Sequence, residues 1–403
     1  MPNTKLDTAA SYPGRLCSRI PVELYRFLAE CLAAPVPHQP TLARLCRVNK
    51  AFRAEAERVL YRTVRCLSAE SMSTFCRTMT GTSKERLCVK VESIHITTTA
   101  KLRSAQGLDK IQGTLQCLSG LKEVTWDDTE FHHLDYAQNL PGPLHVLAEC
   151  AKLDLHRLTC NFLVDRRIFT FLESQPNLKD FRCRSYHQWN TYEQVDVPES
   201  FLSHLHTLHA PASFVTMLRG ATLNISTLDL NASLDNDIEE RALLNMLGAL
   251  SPSLVTLRLY GNWQSSMLQI MEIIAERVVG LKMWVFQGQD TVRPYSCRPD
   301  CLSPGAPTLQ PKPKISEVWG IAMRFRSLET LVIPPFTWSP AFCMHVTDGL
   351  VHACPTLVRV VYYDGSKRPW TFVRSEPGSR LKISEEEDFS LNPSIFDSPV
   401  SAG

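Results

Sequence analysis

The sequence predicts an α/β chain: a small N-terminal helical module followed by an irregular solenoid of short parallel strands with helices behind them. Three observations predict it. A short apolar unit recurs ten times between Val91 and Tyr362, segments of helical period separate several of its copies, and an amphipathic stretch rich in arginine precedes the first copy.

At the N-terminus, residues 1–17 are polar and are expected to be flexible. In SRIPVELYRFLAECL (Ser18 to Leu32), Ile20 and Pro21 fix an extended entry, and Leu24, Phe27, Leu28 and Leu32 recur at helical spacing. The proline-rich AAPVPHQP makes a turn. A second apolar stripe follows, Leu42, Leu45, Val48, Phe52, Ala56, Val59 and Leu60, in steps of three and four. Residues 18–66 therefore give two or three short helices with large apolar faces, a unit that buries too little surface to be stable unaided. Something has to cover the stripe: a partner, or the rest of the chain with the module serving as a cap on the first repeat.

The recurring unit reads VESIHI from Val91, LKEVTW from Leu121, LHRLTC from Leu155, LKDFRC from Leu178 and LHTLHA from Leu205. It continues as ISTLDL from Ile225, LVTLRL from Leu254, LKMWVF from Leu281, LETLVI from Leu328 and LVRVVY from Leu357. First positions are spaced 30, 34, 23, 27, 20, 29, 27, 47 and 29 residues apart. The 47-residue step holds a stretch rich in proline and polar residues, expected to be a disordered insertion at about 288–314. Gln264 to Gly280 and Pro340 to Cys354 carry the helical period between copies. No such unit can bury its apolar strand face alone, so neighbours stack, and residues 67–374 read as one solenoid. Residues 375–403, acidic and rich in serine and proline, are expected to form a flexible tail.

From Cys88 to Tyr363 these units resemble leucine-rich repeats of the irregular, helix-containing kind. The N-terminal module carries a second resemblance. Ile20-Pro21-Val22-Glu23-Leu24 resembles the L-P-x-E-L opening of the F-box, and Leu42, Leu45, Val48, Lys50 and Phe52 resemble its L-x-x-L-x-x-V-C-K-x-W middle. Ala56 to Val64 is similar to the ending found in the large F-box-like families of fungi. The resemblance implies that the module docks on a Skp-type adaptor and through it on a cullin, as the substrate-recognition subunit of a ubiquitin ligase. It places Ile20, Pro21, Leu24, Leu42, Leu45, Val48 and Phe52 on the adaptor as apolar anchors. Phe52 stands where the family commonly has tryptophan, and Asn49 where cysteine is frequent. The alternative reading is a repeat scaffold for protein interaction with no ubiquitin role.

Composition narrows the function classes. With 44% hydrophobic and 21% charged residues the chain has ample apolar material for folded domains. Its 43 basic against 41 acidic residues leave a net charge of +2, which creates no global field for nucleic acid or anionic lipid. No nucleic-acid or membrane partner is expected. Arg44, Arg47, Lys50, Arg53, Arg58, Arg62 and Arg65 make a local basic face opposite the apolar stripe, and no series of stacking aromatics accompanies it. The N-terminus lacks the apolar run of a secretory signal, so a cytoplasmic or nuclear protein is expected, with its 14 cysteines reduced and acting as small hydrophobes. Cys297 and Cys301 in CRPDC have no second ligand pair nearby, so no zinc site is expected.

No common catalytic spacing occurs, neither a G-x-S-x-G elbow nor a phosphate-binding glycine loop nor H-E-x-x-H, and no enzyme activity or cofactor is expected. His204, His206 and His209 read as surface residues, with His209 on the exposed face of its strand. Residues alternating with the buried ones point out of the strand face, which names Arg182, Arg184, Arg258, Tyr260 and Arg359 as candidate contacts for a client protein.

Overall fold

The computed structural model describes residues 21–33, 39–128, 142–150, 153–161, 167–183, 203–218, 224–233, 243–244, 246–247, 252–262, 267–288, 314–333, 340–363, 370–374 and 382–384. The expected flexible residues 1–17, Ile20, Arg184, the CRPDC cysteines and nearly all of the expected insertion lie outside them. The chain divides into two compact units, Met1–Leu155 and His156–Gly403.

The first unit opens with α1 (Val22–Cys31), α2 (Gln39–Leu45) and α3 (Lys50–Arg62). Sequence periodicity ran Leu42 to Leu60 as one stripe, but the chain breaks it at Asn49. That residue holds extended backbone and accepts a 2.8 Å hydrogen bond from the Phe52 N–H, which caps α3. Next come β1 (Thr63–Cys66), α4 (Ala69–Thr80), α5 (Lys84–Cys88), β2 (Ser93–Thr98), α6 (Ala105–Leu115), β3 (Glu123–Asp128) and α7 (Pro143–Ala148). β1 pairs in parallel with β2, and β2 with β3. Residues 63–66, placed with the helical module on sequence grounds, are thus a strand of the sheet; β-branched Thr63 and Val64 suit it. Ile94, Ile96, Val124 and Trp126 are fully buried along one sheet face, where Trp126 Nε1 donates to Thr98 Oγ1 at 2.6 Å.

In the second unit, β4 (Arg157–Cys160), α8 (Arg167–Glu173), β5 (Asp180–Cys183), β6 (Thr207–Pro211), α9 (Ala212–Met217) and β7 (Thr227–Ser233) come first. They are followed by β8 (Thr256–Asn262), α10 (Met267–Arg277), β9 (Met283–Gly288), α11 (Ile315–Ala322), β10 (Thr330–Ile333), α12 (Pro340–Ala353) and β11 (Arg359–Tyr362). Strand order follows chain order, and every pairing from β4 to β11 is parallel. One row of side chains runs straight across it in register: Leu158, Phe181, Leu208, Leu228, Leu257, Trp284, Leu331 and Val360, each at most 1% exposed.

Each strand is entered the same way. The second and third N–H groups of a recurring unit both donate to the carbonyl that stands just before the preceding strand: Lys179 and Asp180 to His156, His206 and Thr207 to Lys179, Ser226 and Thr227 to His206, and onward to Val358 and Arg359 on Glu329, at 2.7–3.1 Å. The same pair recurs in the first unit, from Lys122 and Glu123 to Glu92. A repeated backbone bond at equivalent positions is what a repeat-like, solenoid-like α/β fold requires, because each unit completes its turn only on its neighbour. Behind the strands, α11 packs on α12 so closely that a Cβ at Gly349 would fall within the Trp319 ring, whose Nε1 donates to the Val346 carbonyl at 3.2 Å.

Two more strands close this unit, β12 (Trp370–Val373) and β13 (Lys382–Ser384), antiparallel to β11 and β12 respectively. They correct the expectation that everything from Ser375 onward is a flexible tail: Lys382, Ile383 and Ser384 pair in the sheet before the acidic run begins. No helix among the described residues is long and apolar enough to cross a membrane.

Candidate docking surfaces

The helical module has a core of its own. Ala29 of α1, Leu42 of α2, and Ala56 and Val59 of α3 are buried together, with Leu32, Ala33, Leu45, Cys46 and Leu60 packed against them. Tyr25 meets Phe52 edge to face, ring centroids 4.5 Å apart. Leu42, at 0% exposure, is therefore a packing residue, which corrects its expected place on an adaptor. Leu45 and Phe52 are half-buried in the same packing, while Pro21 and Val48 are exposed.

On α1 the inward face is Tyr25 and Ala29, one turn apart, and the predicted stripe faces outward except for Leu32, which packs on the core. Leu24, Phe27 and Leu28 are 49%, 61% and 46% exposed. This helix is thus apolar on two sides, and only one is covered among the described residues. Helices of that character are normally buried all round.

Charge holds the module together on its other side. Glu57, buried on α3, takes Arg53 Nε at 3.0 Å, Lys90 Nζ at 3.4 Å and the Arg86 guanidinium. Burial would raise its carboxyl, but the hydrogen bonds from Arg86 and Arg53 outweigh that and hold it below the usual carboxylate range. Arg58 bridges Glu55 at 2.8 Å and Glu30 of α1 at 2.9 Å, tying α1 to α3. Two of the seven residues of the basic face, Arg53 and Arg58, are therefore internal bracing. Arg44, Arg47, Lys50, Arg62 and Arg65 remain exposed and outside any ion pair among the described residues.

The second candidate surface lies in the other unit, one residue along each strand from the buried row and so on the opposite sheet face. Its register row reads Thr159, Arg182, His209, Asp229, Arg258, Val285, Val332 and Val361. The polar half is a charge network. Asp180 accepts from Arg157 Nε and from Arg182 Nε, both at 2.9 Å, and Asp229 faces Arg258 at 3.3 Å and His209 at 3.6 Å. Burial works against the charge on Arg182, but Asp180 outweighs it and raises its pKa. Burial, with Asp229 second, pushes the Tyr260 phenol above its usual range.

This face is less open than alternation predicts. His209 is 8% exposed, not on a wet edge, because the parallel register sets it directly beside Asp229. Asp180 and Asp229 are buried as well, and among the described residues Asp229 Oδ1 and Arg258 Nε find no hydrogen-bond partner. Arg182, Arg258, Tyr260 and Arg359 are half-buried, so their heads are only partly presented. Val285, Val332 and Val361 form a buried cluster at the far end. The row thus splits into a polar half on β4 to β8 and an aliphatic half on β9 to β11, a division absent from the list of single candidates. Its signal was the change from charged to valine residues at one position of successive repeats.

His204 and His206 are exposed, and no group of residues that could hold a metal ion occurs among the described residues. The described cysteines are all free, and burial pushes the thiols of Cys66 and Cys150 up to about 12.

No family model matches this chain, and no curated protein matches it. Seventeen solved chains match. Among them is the crystal structure of a Bacteroides fragilis protein determined by the Northeast Structural Genomics Consortium, 10% identical with a TM-score of 0.30. The match covers 74% of this chain and 66% of that one, so the chain spans a little under two thirds of that protein.

Proposed function

We propose that this chain is a substrate-recognition subunit of a cullin-RING ubiquitin ligase. Its N-terminal helices form an F-box that docks on a Skp-type adaptor, and its repeats, read as irregular leucine-rich repeats, hold a client protein. The observation that carries the reading is α1. Among the described residues, Leu24, Phe27 and Leu28 leave an apolar face uncovered on a helix whose opposite face is already packed, on the segment that resembles the F-box opening. Such a face is a docking surface awaiting a partner. The protein then supplies proximity and orientation to the ligase and no bond-making groups of its own.

Burial refines the anchors. Leu24, Phe27, Leu28, Pro21 and Val48 reach the adaptor, Leu45 and Phe52 support them from below, and Leu42 stays within the core. The client is met by the polar half of the strand face, through Arg182, Arg258 and Tyr260. The test is co-purification of the full chain with a Skp-type adaptor and a cullin. A stable ternary complex supports the reading. A chain that stays free of the adaptor at concentrations where a control F-box protein binds refutes it, and leaves a repeat scaffold capped by its own helices.

A further inference from the structure

The N-terminal strand of the first unit's sheet offers an edge. Among the described residues β1 pairs with β2 alone. The Arg62 carbonyl accepts the Glu92 N–H on the β2 side at 3.0 Å. In a parallel pair the bonding direction alternates along the strand, so the backbone of Thr63 and Arg65 turns toward the open edge. Natural sheets usually blunt such edges, because an unpaired row of N–H and C=O groups is a template for another strand.

Two features beside this edge give it chemistry. A cleft of about 420 Å³ runs along β1 and α4, with Val64, Cys66 and Phe75 as its apolar wall and Tyr61 and Thr74 at its rim. The edge also carries positive charge that nothing answers: Arg62 and Arg65 are exposed and outside every ion pair among the described residues. The acid on the cleft, Glu70, is already engaged. At the start of α4, its own backbone N–H and Ser68 lower the carboxyl's pKa by hydrogen bonding, with Lys101 adding its charge.

We infer that the β1 edge is a strand-addition site for an extended acidic peptide from a partner protein, with its carboxylates on Arg62 and Arg65 and one apolar side chain in the cleft against Phe75. Main-chain bonds to Thr63 and Arg65 would supply affinity, while the cleft and the two arginines would supply the preference for acidic over basic sequences. The site is separate from the α1 face, and the inference stands whether or not that face binds an adaptor.

The experiment uses the full chain and two fluorescein-labelled peptides, one of alternating glutamate and valine with a central phenylalanine, the other with lysine for each glutamate. Fluorescence anisotropy should show saturable binding of the glutamate peptide and none of the lysine peptide. Arg65→Pro removes one outward N–H and one charge at an edge position that tolerates proline. It should weaken binding about tenfold, the loss expected for one backbone bond and one ion pair. Should Arg65→Pro fail to fold, the surface double variant Arg62→Glu/Arg65→Glu decides: it should bind the lysine peptide in place of the glutamate one. Three results would overturn the inference: neither peptide binds, both bind alike, or the folded Arg65→Pro or charge-reversed chain binds as the wild type does.

Discussion

Helices α1 and α3 carry similar apolar patterns and meet opposite fates. The stripe on α3 closes inside the module, with Ala56 and Val59 against Leu42 and Ala29, whereas the stripe on α1 faces outward and leaves Leu24, Phe27 and Leu28 uncovered. The difference follows from what else each helix carries. On α1, Tyr25 and Ala29 provide a second apolar face that fits against Phe52 and α3, so the larger residues are left on the outside. Periodicity shows which residues share a face. Which face turns inward depends on what the neighbouring helices can pack against.

Four variants sharpen that contrast, in descending order of expected effect. Leu42→Ala should be the most damaging, at about 2–5 kcal/mol, because it opens a cavity in a core of few residues. The check is chemical denaturation, read as a lowered midpoint at unchanged slope. Glu57→Gln should cost roughly 1–3 kcal/mol near neutrality by leaving Arg53, Arg86 and Lys90 without the negative charge they share and turning one of the two acceptor oxygens into a donor. Its pH dependence has a definite sign. The folded-state pKa of Glu57 lies below the unfolded one. The carboxylate therefore stabilises the fold above the unfolded value of about 4.3, and the benefit is lost as pH falls through the folded value. Melting temperatures of the wild type and Glu57→Gln should differ at pH 7 and converge in acid.

Asn49→Ala removes the side-chain cap of α3 and should cost about 1 kcal/mol, visible as a lower melting temperature and loss of amide protection at Phe52. Helix α1 has no such cap, since Pro21 at its start makes no side-chain bond. The double variant Leu24→Asp/Phe27→Asp should change stability least, within about 0.5 kcal/mol, as expected for exposed sites.

The strands were legible in the sequence to an unusual degree. All ten recurring units are strands, β2 to β11, because a buried row of leucine and its equivalents must repeat wherever a strand joins a stacked sheet. β1, β12 and β13 were not legible. β1 is only four residues long and follows directly on α3, while β12 and β13 pair antiparallel and lie outside the repeating pattern. The break between α2 and α3 was encoded in Asn49, a strong N-cap residue standing within an apolar stripe.

The polar strand face of the second unit was readable only in outline. Alternation put Arg182, His209 and Arg258 on the face away from the leucines, and the register lines them up in one row with Asp229. It could not give their burial, because that depends on pairing with acids, Asp180 on the same strand as Arg182 and Asp229 on the strand between His209 and Arg258. Residues spaced 20–29 positions apart in sequence become direct partners only once the register is known.

The central claim, that the outward face of α1 is built for an adaptor, is tested most directly by isothermal titration of a Skp-type adaptor into the wild type and into Leu24→Asp/Phe27→Asp, with melting temperatures measured alongside. The account predicts binding to the wild type, its loss in the double variant, and the same melting temperature for both. Equal binding by the two chains, no binding by either, or a double variant that melts well below the wild type would contradict it.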